Sequence, residues 1–145
     1  MKFSRVYFDT SALLKRYLSE SGSDRARALQ RTSRVLSSAV MPAEVASALS
    51  RRKTLGNLTE RQLSAILSRI RSDRVRWELV EVDRPVLDRA EELVIQTSVR
   101  PLDAIHLASA LTFLAMTGVR IHFSTADERQ RDAAGTLGLN VIWVG

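Results

Sequence analysis

A chain of 145 residues, 45% hydrophobic and 26% charged, with a mean hydropathy of −0.08, is sized for one soluble globular domain that buries roughly 68–70% of the surface its unfolded form exposes. Cysteine is absent, which excludes disulfides, thiolate metal sites and a cysteine nucleophile; the longest strongly apolar stretch, 111–116, is far short of the roughly 20 residues a membrane span needs, and the apolar run of MKFSRVYFD stops at Asp9, leaving no secretory core and making the cytoplasm the expected compartment. The charge is +6, from 22 basic residues, 19 of them Arg, against 16 acidic ones; with a pI near 10.7 it fits a polyanionic partner such as RNA or DNA, or an acidic protein, and equally a solvated Arg-rich surface.

In chain order, the β-branched and aromatic run 6–8 predicts a buried strand, after which Thr10 or Ser11 can cap a helix carrying Leu13, Leu14 and Tyr17. Residues 35–38 predict a second short strand. Pro42 in a first helical turn opens a helix over 43–53, with Val45 and Leu49 on one face. Leu58 and Thr59 lead into an amphipathic helix whose Leu63, Ile66, Leu67 and Ile70 are read as an ordinary core face. A short strand is expected over 77–82. Asp83 and Pro85 start a helix through Leu87, Ala90, Leu93 and Val94, and Pro101 precedes a very apolar helix over 104–116 that Gly118 ends. The last third predicts strand 120–123, helix 126–137 closed by Gly138, and strand 141–144. Strands alternating with helices, without linker or repeat, predict one domain over 1–145 with a parallel sheet covered on both faces.

Four acids stand where predicted strands end or helices begin: Asp9, Glu44, Asp103 and Asp127. In parallel α/β sheets the functional crevice lies outside the carboxyl ends of the strands, so all four can meet at one rim. Carboxylates that close repel one another unless a cation neutralises them, and Mg²⁺ or Mn²⁺ takes oxygen ligands of this kind while keeping waters. Taken singly, each acid is also explained by the helix dipole. Asp127 has the strongest such explanation, because Thr125 with Glu128 reads as a capping box around it. Glu44, two residues after Pro42, has a first-turn explanation as well. Asp9 and Asp103 are harder to account for structurally, since Thr10 and Ser11 could cap without Asp9, and Asp103 introduces one of the most apolar helices.

The segments YFDTSALLKRY, PAEVASAL, PLDAIHLASAL and FSTADERQRDAAGTLGLNVI, in this order and at these separations, resemble the PIN-domain ribonucleases, most closely the VapC toxins of VapBC-type toxin–antitoxin pairs, over nearly the whole chain. The resemblance implies a three-layer α/β/α domain with a central parallel sheet of four to five strands. It implies Asp9, Glu44, Asp103 and Asp127 as catalytic metal ligands, with Ser11 and Thr125 as polar helpers. It further implies cleavage of a structured RNA such as tRNA or ribosomal RNA, a homodimer, and a VapB-like antitoxin whose tail covers the site. None of the four acids is substituted.

The expected activity is therefore a Mg²⁺- or Mn²⁺-dependent endoribonuclease. Its alternative is a non-catalytic RNA-binding module whose acids are helix caps. A haloacid-dehalogenase-type phosphotransferase needs a second acid where Ser11 stands, and a response-regulator receiver needs an adjacent acidic pair near the first strand; both are absent. His106, three residues after Asp103, is on the same helical face but is read as a hydrogen-bonded core residue, and His122 as a structural strand residue. Arg51 shares the face of Glu44 and could hold a substrate phosphate, with an exposed helix-end cation as its structural reading.

Overall fold

The computed structural model describes residues 4–145. Five short strands, β1 (Arg5–Phe8), β2 (Arg34–Ser38), β3 (Glu78–Val80), β4 (His122–Thr125) and β5 (Asn140–Trp143), form one sheet in the order β3-β2-β1-β4-β5. Every pairing is parallel. Seven helices connect the strands: α1 (Thr10–Leu14), α2 (Ser23–Thr32), α3 (Met41–Thr54), α4 (Glu60–Asp73), α5 (Arg84–Thr97), α6 (Pro101–Thr117) and α7 (Glu128–Thr136), with a single 3-10 turn at Arg74–Arg76.

Strand alternation builds the three layers. Val6 and Phe8 of β1, Val35 of β2 and Ile142 of β5 face a core closed by Leu13 of α1, Ala26 of α2, Val45 and Leu49 of α3, and Ile66 and Ile70 of α4. Tyr7, Leu36, Phe123 and Val141 point the other way, onto Val86, Ala90 and Leu93 of α5, Ala104 and Leu107 of α6, and Ala133 and Ala134 of α7. Side chains on successive strand residues leave opposite faces of a pleated sheet, so one run of three apolar residues feeds both cores. The expected three-layer parallel architecture is the one observed, at five strands.

The predicted elements recur with shifted bounds, and one helix is new. Nothing in the sequence reading anticipated α2, whose buried residues are only Ser23, Ala26 and Gln30; it is amphipathic, but its inner face offers the core little beyond Ala26 and Leu29, so its periodicity lies within a mostly polar segment. Its start is positioned by Gly22, at φ 81°, where an added Cβ would lie 1.8 Å from the Val144 carbonyl oxygen. The strand expected over 77–82 is shorter. Trp77 lies just outside it, half-buried against the first core. At α4, Thr59 and Gln62 form the reciprocal capping box.

The connection from β3 to β4 passes back across the sheet, so β1 and β4 are neighbours whose chains depart in opposite directions. Their carboxyl ends therefore frame the switch-point crevice of a doubly wound sheet. Asp9 follows β1 directly, its amide donating to the Ser124 carbonyl of β4 at 3.2 Å. Asp127 follows β4 by two residues.

Candidate active site

Asp9 forms the floor. It is 4% exposed, and its carboxylate is held from three sides. Oδ1 accepts from the Ser11 hydroxyl at 2.7 Å and the Ala12 amide at 2.9 Å, and Oδ2 accepts from the Thr125 hydroxyl at 2.5 Å. Ser11 Oγ in turn accepts from the Ala126 amide at 2.9 Å, and Thr125 Oγ1 from the Asp127 amide at 3.0 Å. The two hydroxyls thus stitch the β1–α1 turn to the β4–α7 turn through one carboxylate. Burial raises the Asp9 pKa above its ordinary value, and the His106 ring, the two hydroxyls and the Ala12 amide work against that rise.

This arrangement corrects two local expectations. Asp9 itself is the N-cap of α1, although Thr10 and Ser11 were available; Ser11 turns its hydroxyl onto Asp9 instead. Asp127, not Thr125, is the N-cap of α7, accepting from the Arg129 and Gln130 amides at 2.9 and 3.2 Å. Thr125 is committed to Asp9. A side chain at a strand end can serve the neighbouring strand's turn as readily as its own helix.

Glu44 enters from α3, above Asp9. Its Oε1 accepts from the Thr10 hydroxyl at 3.0 Å and from His106 Nε2 at 2.6 Å. His106 is 2% exposed, a core residue as expected, yet it also reaches the rim. A carboxylate can only accept, so the short contact places a proton on Nε2. The Tyr7 hydroxyl lies 2.8 Å from Nδ1, and burial pushes the Tyr7 pKa well up, so that hydroxyl stays protonated beside the ring.

Asp103 lies one turn before His106 on α6. Its Oδ2 accepts from Arg100 Nε at 3.0 Å, while the Nη2 of the same guanidinium lies 3.4 Å from Asp127 Oδ2. Arg100 was not singled out from the sequence, although it stands directly before Pro101 in the motif. Its pKa is raised by Asp103 first, with smaller contributions from Asp127 and Glu44. Gln130 closes the circle, donating from Nε2 to the Asp103 carbonyl at 3.1 Å.

The four acids therefore share one rim, graded in depth. Asp9 is buried, and the side chains of Asp103, Glu44 and Asp127 are 19%, 21% and 30% exposed. Arg51, on the last turn of α3, is exposed and makes no side-chain hydrogen bond among the described residues. His122 is an exposed first residue of β4.

Whether these groups suit a divalent cation is a question of donors. All four supply carboxylate oxygen, the ligand type hard cations take. Glu44 Oε2 and Asp103 Oδ1 accept no hydrogen bond among the described residues, and Asp127 Oδ2 only the long one from Arg100. The chemistry fits, but as placed no three His, Cys, Asp or Glu side chains of the described residues close around one point. Arg100 holds Asp103 and Asp127 toward itself, so closure requires side-chain rotation.

A three-layer parallel domain with an acidic rim at its β1/β4 switch point is the class these features define. The chain belongs to the PIN-domain family, whose model matches residues 6–136. It is 38% identical over 137 residues to Ribonuclease VapC46 of Mycobacterium tuberculosis, covering 94% of this chain and 95% of that protein. Among solved structures, the FitAcB crystal structure from Neisseria gonorrhoeae superposes with a TM-score of 0.70 at 15% identity over 94% of this chain and 96% of that one. The M. tuberculosis toxin VapC20, described as cleaving the sarcin-ricin loop, gives 0.65 at 17% identity, covering 88% and 94%. Both share its fold.

Proposed function

We propose that the chain is a divalent-metal-dependent endoribonuclease and the toxin of a VapBC-type pair, acting in the cytoplasm as a homodimer and restrained by a VapB-like antitoxin. The observation that carries the reading is the convergence of Asp9, Glu44, Asp103 and Asp127 on one rim, in a chain 38% identical to a VapC ribonuclease. No helix of the described residues is long and apolar enough to cross a membrane.

Asp9, Asp103, Glu44 and Asp127 would hold Mg²⁺ or Mn²⁺. What such a cation supplies when bound is acidification of a water and neutralisation of phosphodiester charge, so that attack on phosphorus needs no 2′-hydroxyl nucleophile. The chain does the positioning. Ser11, Thr125 and the Ala12 amide fix the Asp9 carboxyl in place and oppose the pKa rise that its burial causes. Thr10 and His106 hold Glu44 by Oε1 and leave Oε2 without a hydrogen bond among the described residues. Arg100, two-thirds exposed, is long enough to leave Asp103 and Asp127 for a phosphate oxygen of the substrate. The strand bound would be a structured RNA, tRNA or ribosomal RNA.

The second reading, an RNA-binding module with capping acids, draws on a specific observation: Asp9 and Asp127 do cap helices. Glu44 and Asp103 lie in first helical turns, where the dipole favours an acid, but neither accepts from a helix amide, so capping does not account for where their carboxylates are held. The deciding experiment is degradation of RNA by purified protein with Mg²⁺ or Mn²⁺ against the same reaction in chelator. Asp9→Asn and Asp103→Asn are expected to abolish cleavage with the circular dichroism spectrum unchanged; full activity in either sinks the nuclease reading.

A further inference from the structure

At the opposite edge of the sheet, where β1, β2 and β3 begin at Arg5, Arg34 and Glu78, lies a cleft of about 920 Å³. The four-residue rise of β1 separates it from Asp9 by about 13 Å, so it is no part of the acidic rim. Five arginines line it, Arg5, Arg16, Arg31, Arg34 and Arg76, against Asp73. With Glu78 behind them, the balance is three positive charges.

The manner in which these arginines are held is informative. Arg5 and Arg34 contact Glu78 through Nε at 3.0 and 2.9 Å, and Arg16 contacts Asp73 through Nε at 3.3 Å. Their Nη atoms make no hydrogen bond among the described residues. The guanidinium forks are thus anchored at one end with both terminal donors unspent, the geometry that suits phosphate oxygens. Arg31 and Arg76 are exposed and make no side-chain hydrogen bond among the described residues. Gln30, 9% exposed, also lines the cleft, and its buried Nε2 has no partner. A buried amide donor without an acceptor is costly and marks a position an anionic or carbonyl oxygen would fill. Beside them Trp77 packs one side on the core and lines the cleft with the rest, offering an aromatic surface of the kind on which unpaired bases stack.

We propose that this cleft is a second, non-catalytic nucleotide-binding site, taking phosphate oxygens on the Arg forks and Gln30 and an unstacked base on Trp77. The ligand is a phosphate-bearing nucleoside unit, either free or within a single-stranded RNA segment.

The test uses the full chain with Trp143→Phe, leaving Trp77 the only tryptophan, in chelator so that no RNA is cut. Adenosine 5′-monophosphate and a short oligoadenylate are titrated against Trp77 emission. Saturable quenching that weakens at least tenfold in Arg31→Glu/Arg76→Glu, and is unchanged in Asp9→Asn, is expected. Similar affinity for both probes assigns the site to free nucleotide; much tighter binding of the oligonucleotide assigns it to an RNA strand. Absence of saturable quenching up to millimolar probe, insensitivity to the double substitution in a protein with an unchanged circular dichroism spectrum, or equal competition by polyglutamate would each overturn the proposal. Since nothing is cleaved, a protein without nuclease activity still reports on this cleft.

Discussion

His106 Nε2 donates to Glu44 Oε1 at 2.6 Å and so ties α6, on one face of the sheet, to α3, on the other. The bond closes over the carboxyl edge of β1, and the Tyr7 hydroxyl of β1 supports it from below at 2.8 Å. Three layers are joined at the point where the acids meet.

His106→Phe keeps the ring volume but leaves the buried Tyr7 hydroxyl without its ring partner and Glu44 held by Thr10 alone. A loss of about 1–3 kcal/mol is expected, the usual consequence of stranding buried polar groups. Urea unfolding monitored by circular dichroism measures it; a midpoint equal to wild type would show that the clasp contributes nothing.

Asp9 imposes a pH dependence whose sign follows from its raised pKa. A folded state that binds the carboxyl proton more tightly than the unfolded chain is favoured at low pH, and the benefit fades as pH rises through the folded pKa. Metal-free Asp9→Asn should therefore gain thermal stability over wild type as pH climbs from 4 to 7, the two converging at acid pH. Addition of Mg²⁺ should reverse the order at neutral pH by raising only the wild-type melting temperature. A melting difference that does not vary with pH would contradict the assigned burial effect.

Arg100 pairs with both Asp103 and Asp127, a single positive charge between two carboxylates. Its positive charge competes with a cation on the same carboxylates, so Arg100→Gln should bind Mn²⁺ more tightly, by about sevenfold for a unit charge some 7 Å from a divalent one in water. Isothermal titration, or the loss of the free-ion electron paramagnetic resonance signal, reads the change. Weaker Mn²⁺ binding in the variant would mean that the guanidinium organises the acids for the ion.

Gly22 joins α2 to the end of β5. At φ 81°, with Val144 O 1.8 Å from the position of a Cβ, Gly22→Ala must displace backbone as well as adopt a strained conformation, and about 2–4 kcal/mol of destabilisation is expected. Thermal melts settle it. Gly56, also at positive φ but with open space around it, is the control, with an expected cost near 1 kcal/mol.

The architecture was legible because its signals are local. Runs such as VYF before Asp9 and HFST before Asp127 alternate across a sheet they help to build, and Pro42, Pro101, Gly118 and Gly138 punctuate the helices. Local signals are weak where burial is sparse: α2 is amphipathic, but it has so few apolar residues that its helical spacing is easily passed over. They fail at the caps, because the Thr125 hydroxyl is drawn to Asp9, 116 positions away, and the sequence shows only the nearer partner, Glu128.

The sequence by itself determined that strands alternate with helices and that an acid stands after or near the strand ends, since both follow from residue order. Only the tertiary structure decided what those acids do to one another. It buried Asp9 and left Asp127 at the mouth, turned Glu44 Oε1 to His106 and Thr10, and set Arg100 between Asp103 and Asp127. Hydrogen bonds and charge pairs act over a few ångströms, and which groups fall within that reach depends on the crossing from β3 to β4 that brings β1 and β4 side by side.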